Sequence, residues 1–235
     1  MIQVGGLQRS TLIDYPGRVA ATVFLTGCNF RCPWCYNSEL VLPEKIKKQP
    51  RISERHFFDF LKKRKGLLEG VCLTGGEPTI NKDLPEFCRK IKKLGYLVKL
   101  DTNGSNPEML KKLISEKLID YVAMDIKAPL AQFPKYDKAT GIKVNLEKIK
   151  KSIELIKDSG IDYEFRTTVL PGIHTKEDIL KIAKNISPAK RYYLQNFKPD
   201  KTLDSSYKKC KPFNQKELEL IQKECNKYVP TKIRN

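Results

Sequence analysis

The chain alternates short β-rich runs with stripes of helical period, and this alternation limits its folds more than any other feature. The β-rich runs cover residues 20–25, 71–74, 97–101, 121–126, 162–170 and 191–197. Between most of them apolar residues recur every three or four positions. Examples are Leu84, Phe87, Cys88, Ile91 and Leu94, then Leu146, Ile149, Ile153 and Ile156. Such stripes bury one face of a helix. Ser53 ahead of Phe57, Phe60 and Leu61, and Asn106-Pro107 ahead of Met109, Leu110, Leu113 and Ile114, are helix starts; Gly160 is a helix stop. Two further stripes are Ile179, Leu180, Ala183 and Ile186, and a terminal one of Leu218, Ile221, Cys225 and Tyr228. Strand–helix–strand alternation predicts βαβ units, a parallel sheet and an α/β fold. At 235 residues the length suits one large domain or two small ones, and α/β barrels often reach this size as a single unit. With no repeat or linker in view, the chain reads as a single domain over residues 1–235.

Side chains on a strand alternate between faces. The 97–101 run and its continuation put Lys99, Asp101 and Asn103 opposite Val98, Leu100 and Thr102. The next run puts Asp125 and Lys127 opposite Val122, Met124 and Ile126, and the fifth puts Glu164, Arg166 and Thr168 together. A filled apolar core would not accept so many ionisable groups, because unpaired buried charge is very costly. A cavity for a charged ligand would, and Asp101, Asn103, Asp125, Lys127 and Thr168 all fall at C-terminal strand ends, where βα barrels build their sites.

The hydrophobic share of 40% is enough for a sizeable core, no apolar stretch is long enough to span a membrane, and residues 1–10 lack the pattern of a secretory signal. These observations predict a soluble, cytoplasmic protein. The net charge of +18 comes mostly from lysines spread along helix faces. That distribution favours a solvated surface over nucleic-acid binding. It also favours attraction to an acidic protein, such as a small electron carrier.

Seven cysteines, an odd number without an export signal, argue against a disulfide framework. Cys72 and Cys88 lie on apolar patterns and read as buried hydrophobes; Cys210 and Cys225 have no third ligand near them in sequence. Cys28, Cys32 and Cys35 differ. Three thiolates in the segment Cys28-Asn-Phe-Arg-Cys32-Pro-Trp-Cys35 can hold three corners of a cubane iron–sulfur cluster, leaving one iron for a ligand with adjacent amino and carboxylate donors. The alternative is zinc, which wants a closed four-ligand shell. The two histidines, His56 and His174, are both distant in sequence.

The trio after the first strand, followed by Gly75-Gly76-Glu77-Pro78 after the second, resembles the radical S-adenosylmethionine (SAM) superfamily. Leu100-Asp101-Thr102-Asn103-Gly104 and Met124-Asp125-Ile126-Lys127 are similar to the glycyl-radical-enzyme activases. The segment from Ser10 to Gly17 and Phe165-Arg166-Thr167-Thr168-Val169 are similar to one branch, the activating proteins of anaerobic ribonucleoside-triphosphate reductase. Tyr36 stands where many activases have His. The resemblance implies a partial (β/α)6 TIM-like barrel of the radical SAM type, with a core of about 18–200 and a short C-terminal helical extension. It implies an oxidoreductase in which a reduced 4Fe–4S cluster cleaves SAM and the resulting 5′-deoxyadenosyl radical abstracts hydrogen from a glycine of a partner enzyme.

Under that resemblance Cys28, Cys32 and Cys35 are the cluster ligands. Trp34, Tyr36 and Asn37 are placed to touch the nucleoside, with packing as an equal reading for Trp34. Gly75 and Gly76 permit close backbone approach, and Glu77, followed by Pro78, accepts from the methionine ammonium. Asp101, Thr102 and Asn103, with Asp125, Ile126 and Lys127, complete the SAM site, and Asp101 and Asp125 are expected to help hold a monovalent cation. Arg166 is a carboxylate partner. His174 is a weaker cofactor contact, a surface-loop histidine being the plainer reading. The implied partners are a glycyl-radical enzyme and a flavodoxin or ferredoxin reductant, with no membrane. The competing functions are a radical SAM enzyme acting on a small molecule or nucleoside, as deazapurine-forming synthases do, and a zinc-stabilised nucleic-acid-binding protein.

Overall fold

A computed structural model describes residues 2–234. The chain divides into two compact units. The first holds residues up to Asn29, Ser38–Thr102 and Asn106–Val122; the second holds Phe30–Asn37, Asn103–Ser105 and the chain from Ala123 onward.

In the first unit the elements are β1 (Val4–Thr11), β2 (Ala20–Leu25), α1 (Ser38–Val41), α2 (Pro43–Ile46), α3 (Glu54–Lys63), β3 (Gly70–Gly75), α4 (Leu84–Lys93), β4 (Leu97–Thr102) and α5 (Pro107–Ser115). β2, β3 and β4 are parallel neighbours, with Thr22 beside Cys72 and Cys72 beside Lys99. The Ser53 hydroxyl accepts the His56 N–H to start α3, and the Asn106 carbonyl accepts the Met109 N–H to start α5. Phe57 of α3 stacks on Phe87 of α4 with ring centroids 5.3 Å apart, over fully buried Leu61, Cys88 and Ile91. Each such side chain contributes about 1.5–3 kcal/mol relative to exposure.

In the second unit follow β5 (Tyr121–Asp125, its first two residues in the first unit), α6 (Phe133–Thr140), α7 (Leu146–Asp158), β6 (Asp162–Val169), α8 (Lys176–Ile186), β7 (Tyr192–Asn196), α9 (Gln215–Cys225) and β8 (Thr231–Arg234). β6, β7 and β8 are parallel neighbours. Ile149, Ile153 and Ile156 bury the α7 stripe, and Thr175 and Asp178 close a reciprocal capping box on α8. Gly141 ends α6 at φ +70°, and a Cβ there would stand 2.3 Å from the Arg31 carbonyl oxygen.

The α/β class is borne out: the six predicted runs fall on β2 to β7, and every strand pair described above is parallel. Two strands were not foreseen. β1 pairs antiparallel with β2; its sequence, VGGLQRST, is largely polar or glycine and carries no apolar alternation. β8 follows the terminal helix, which stops at Cys225 and leaves Tyr228 outside. Four residues are too few to show a period. β8 is fixed instead by partners: Asn226 Oδ1 accepts the Thr231 N–H at 2.7 Å, and Arg234 makes a bidentate pair with fully buried Glu164 at 2.7 and 3.0 Å. No helix among the described residues is long and apolar enough to cross a membrane.

Removing Arg234 takes the bidentate guanidinium away from the buried Glu164 carboxylate. Arg234→Ala should destabilise the protein by about 3 kcal/mol, the low end for a broken buried pair because the arginine is partly exposed. Urea unfolding of the variant beside the parent protein measures the difference.

Candidate functional site

In the first unit, β2 delivers the chain to Cys28 and β3 delivers it to Gly75-Gly76-Glu77-Pro78. The two strand ends are clamped together. Gly76 N–H donates to the Leu25 carbonyl and Glu77 N–H to the Gly27 carbonyl, both at 2.8 Å. Gly75 has φ +119°, and a Cβ on it would lie 2.4 Å from Leu25 backbone atoms. A Cβ on Gly76 would lie 1.9 Å from the Gly27 oxygen. No real Cβ tolerates that separation, so both positions require glycine. The close approach foreseen for this pair is therefore made to the backbone that carries Cys28.

Glu77 is buried, and its Oε1 accepts from Thr79 N–H at 3.1 Å, the Thr79 hydroxyl at 2.5 Å and the Thr102 hydroxyl at 2.8 Å. That oxygen caps the turn at Pro78–Ile80 and ties it to β4. Pro78 and Thr102 are buried beside it. Asp101 receives the Lys99 ammonium, and Lys99, itself buried, lies 3.6 Å from the Cys72 sulfur and 5.9 Å from the Tyr121 ring centre. Lys99 was legible as a neighbour of Asp101 on one strand face, but nothing in the sequence marks it as its counter-ion.

In the second unit, Cys32 and Cys35 are half-buried, in no disulfide, and joined by a tight turn, Cys35 N–H donating to the Cys32 carbonyl at 3.0 Å. Burial pushes the Cys32 thiol up to about 11, and the Lys127 ammonium opposes the shift. Asp125 stands between two cations, with Arg166 Nε 2.8 Å from Oδ1 and Lys127 Nζ 3.0 Å from Oδ2. Burial would raise its carboxyl, but Arg166 and Lys127 hold it well below the usual carboxylate range. Burial would likewise lower the Lys127 ammonium, yet Asp125 and Cys32 keep it above its ordinary value. This trio carries one net positive charge, which suits recognition of a carboxylate.

His174 corrects the surface-loop expectation. It is buried, and its Nδ1 accepts the Leu170 N–H at 3.2 Å. An N–H only donates, so the proton sits on Nε2, which donates to the Lys127 carbonyl at 2.8 Å. Both ring nitrogens thus bind main chain, Nδ1 at Leu170 and Nε2 at Lys127. Tyr136, which sequence reasoning missed, is fully buried behind the same residue, its hydroxyl accepting the Lys127 N–H at 3.4 Å. The Ile126 side chain is fully buried, its N–H donates to the Arg166 carbonyl and its carbonyl accepts the Thr167 hydroxyl, so it packs and ties β5 to β6.

Trp34 sits among aromatic neighbours. It is buried, edge-on to His174 and tilted against Tyr207. Tyr36 stays at the surface with its ring stacked on Phe197 and its hydroxyl accepting the Lys198 N–H at 2.8 Å. Asn103 is buried and its Oδ1 accepts the Ser105 N–H at 3.0 Å, shaping the loop after β4. Asn37 is half-buried. Cys72, Cys88 and Cys225 are buried, Cys210 is half-buried, and none of the four is in a disulfide. No group of three or more His, Cys, Asp or Glu side chains among the described residues forms a ready metal site. Cys28, Cys32 and Cys35 take part in no disulfide, and the glycine clamp fixes the backbone that leads into Cys28.

Gly76→Ala should displace the Cys28 backbone, lowering stability by about 1–3 kcal/mol as overpacking does and reducing the iron retained after anaerobic reconstitution; thermal melts and iron assays check both effects. Burial holds the His174 pKa below its ordinary value. The folded state therefore disfavours the proton, and its stability contribution is complete above about pH 6.5 and declines as the pH falls below that value. His174→Phe should remove this acid-side decline and cost about 1–3 kcal/mol at pH 8 through the orphaned Lys127 carbonyl. Urea titrations of both proteins at pH 5.5 and 8 measure it.

The sequence profile described as "Radical SAM superfamily" matches residues 22–186. A Methanocaldococcus jannaschii protein provisionally named a glycyl-radical enzyme activating enzyme is 37% identical over 96% of this chain and 92% of its own length. A Pyrococcus abyssi protein provisionally named a GTP 3′,8-cyclase is 28% identical over 75% of this chain and 57% of its own. Among solved structures, Streptococcus suis SuiB bound to S-adenosylmethionine superposes with a TM-score of 0.69 at 14% identity, over 89% of this chain and 48% of that one. That likeness bears on the fold alone. A profile spanning most of the chain, and a relative aligned nearly end to end, place this protein in the radical SAM superfamily.

Proposed function

We propose that this radical SAM enzyme is a glycyl-radical-enzyme activase whose substrate is a protein, an anaerobic ribonucleoside-triphosphate reductase, and that residues 1–235 act as one cytoplasmic domain. The observation that carries the reading is the near end-to-end match to the activating-enzyme relative. The cyclase relative, by contrast, is matched over little more than half its length.

Superfamily membership implies a 4Fe–4S cluster and SAM. When bound, they supply one-electron cleavage of the SAM S–C5′ bond, giving methionine and a 5′-deoxyadenosyl radical that takes a hydrogen atom from glycine. In this reading Cys28, Cys32 and Cys35 hold the cluster. The glycine clamp fixes the Cys28 backbone against β3. Arg166 and Lys127, both paired with Asp125, and Lys127 further held through its backbone by His174 and Tyr136, present positive charge to the methionine carboxylate. Tyr36 and Asn37 offer a surface to the nucleoside. A monovalent cation is left out of the proposal, because Asp101 is already paired with Lys99, and Asp125 with Lys127 and Arg166. An acidic one-electron carrier is the reductant that the charge of +18 favours.

Two measurements test this. Protein reconstituted anaerobically with iron and sulfide should show cluster absorbance and cleave SAM, and Cys32→Ala should lose both; retention of both in the variant contradicts the ligand assignment. Incubation of the reduced protein and SAM with a co-encoded reductase should give an electron-paramagnetic glycyl signal. Absence of that signal, with SAM cleavage stimulated by a purine-like metabolite, would overturn the activase reading in favour of the small-molecule one.

A further inference from the structure

The lysines of this chain are widely spread, but one group of them sits on backbone that is bonded to the cysteine loop. Residues 198–211 contain five lysines and two aspartates. Lys198, Lys201, Lys208, Lys209 and Lys211 are all exposed. The segment is ordered by its own contacts: Asp204 caps the short turn Ser205–Lys209 by accepting the Ser206 N–H. It is then fastened to the loop that carries Cys32 and Cys35. Asp204 N–H donates to the Pro33 carbonyl at 2.9 Å, Lys198 N–H donates to the Tyr36 hydroxyl at 2.8 Å, and the Tyr207 ring lies 6.4 Å from that of Trp34. The five lysines thus lie on backbone that is hydrogen-bonded to the cysteine loop.

We propose that residues 198–211 are the docking surface for an acidic electron-carrier protein of the flavodoxin or ferredoxin class. The inference rests on the reading of Cys28, Cys32 and Cys35 as cluster ligands, and it adds where the donor binds. Positive charge on one ordered segment attracts an acidic partner, fixes its orientation and accelerates encounter at low salt. The tilted aromatic pair Trp34 and Tyr207 links that segment to the loop. In the productive complex the carrier is oxidised by one electron and the cluster reduced by one, with no bond made or broken. The lysines position the donor and take no part in SAM cleavage.

The test is the affinity of an oxidised acidic flavodoxin, read by biolayer interferometry at low ionic strength. Lys208→Glu, Lys209→Glu and Lys211→Glu are introduced together. A control triple of the same net charge, Lys111→Glu, Lys112→Glu and Lys148→Glu, changes exposed positions elsewhere. The first triple should weaken binding about tenfold or more and the control by about twofold or less, with the difference vanishing at high salt. Chemical reduction of the first triple by dithionite should proceed as in the parent, showing that the cluster loop is intact. Equal loss in both triples, or no loss in either, overturns the proposal. So does a result in which single-stranded DNA, and not flavodoxin, binds through the same lysines. Because binding of the oxidised carrier requires neither SAM nor a glycyl-radical partner, it can fail while the activase reading stands, and the reverse also holds.

Discussion

A carboxylate withdrawn from water is tolerable only where cations replace its hydration, and Asp125 meets that condition between Arg166 and Lys127. Three constraints converge on Lys127 in consequence. Its ammonium is fixed by Asp125, its N–H by the Tyr136 hydroxyl and its carbonyl by His174. Side chain and main chain are thus both held, which is what a site built to orient a small zwitterion demands. One positive charge is left in excess over Asp125 among these three groups.

The first unit reaches comparable precision by steric means. Gly75 and Gly76 bring β3 so close to the Leu25–Gly27 backbone that a single added carbon would collide with it. Glu77 then binds Thr79 and Thr102 with one oxygen, joining the turn after β3 to the end of β4. The motif therefore acts first on the protein itself, as a fastener for the backbone that leads into Cys28. Lys99 and Asp101 add a second neutralised pair within the same unit, placed where the strand register sets Lys99 beside Cys72.

Much of this was legible in the amino-acid order. Six strands and the main helices follow from periods of two and 3.6, because burial of one face imposes those periods on the residues. The charged strand faces were legible for the same reason, and so were the cysteine spacing and the Gly-Gly-Glu-Pro turn. β1 and β8 were not, since an edge strand of polar residues and a four-residue strand leave no period to read. His174 was misplaced because a Pro-Gly-Ile-His segment has the composition of an exposed turn, whereas its burial depends on Leu170 and Lys127 accepting it into their hydrogen bonding.

The sequence by itself determined which residues alternate, which side chains carry charge on one face of a strand, and which three thiols lie within eight positions of one another. Local sterics and the pleat require no more than near neighbours to set those relations. Only the tertiary structure decided the partners: Arg166 for Asp125, Lys99 for Asp101, Arg234 for Glu164, and His174 for the Lys127 carbonyl. Except for Lys99 and Asp101, these pairs join residues more than forty positions apart. Their energies depend on distance and desolvation in space, and separation along the chain carries no trace of either.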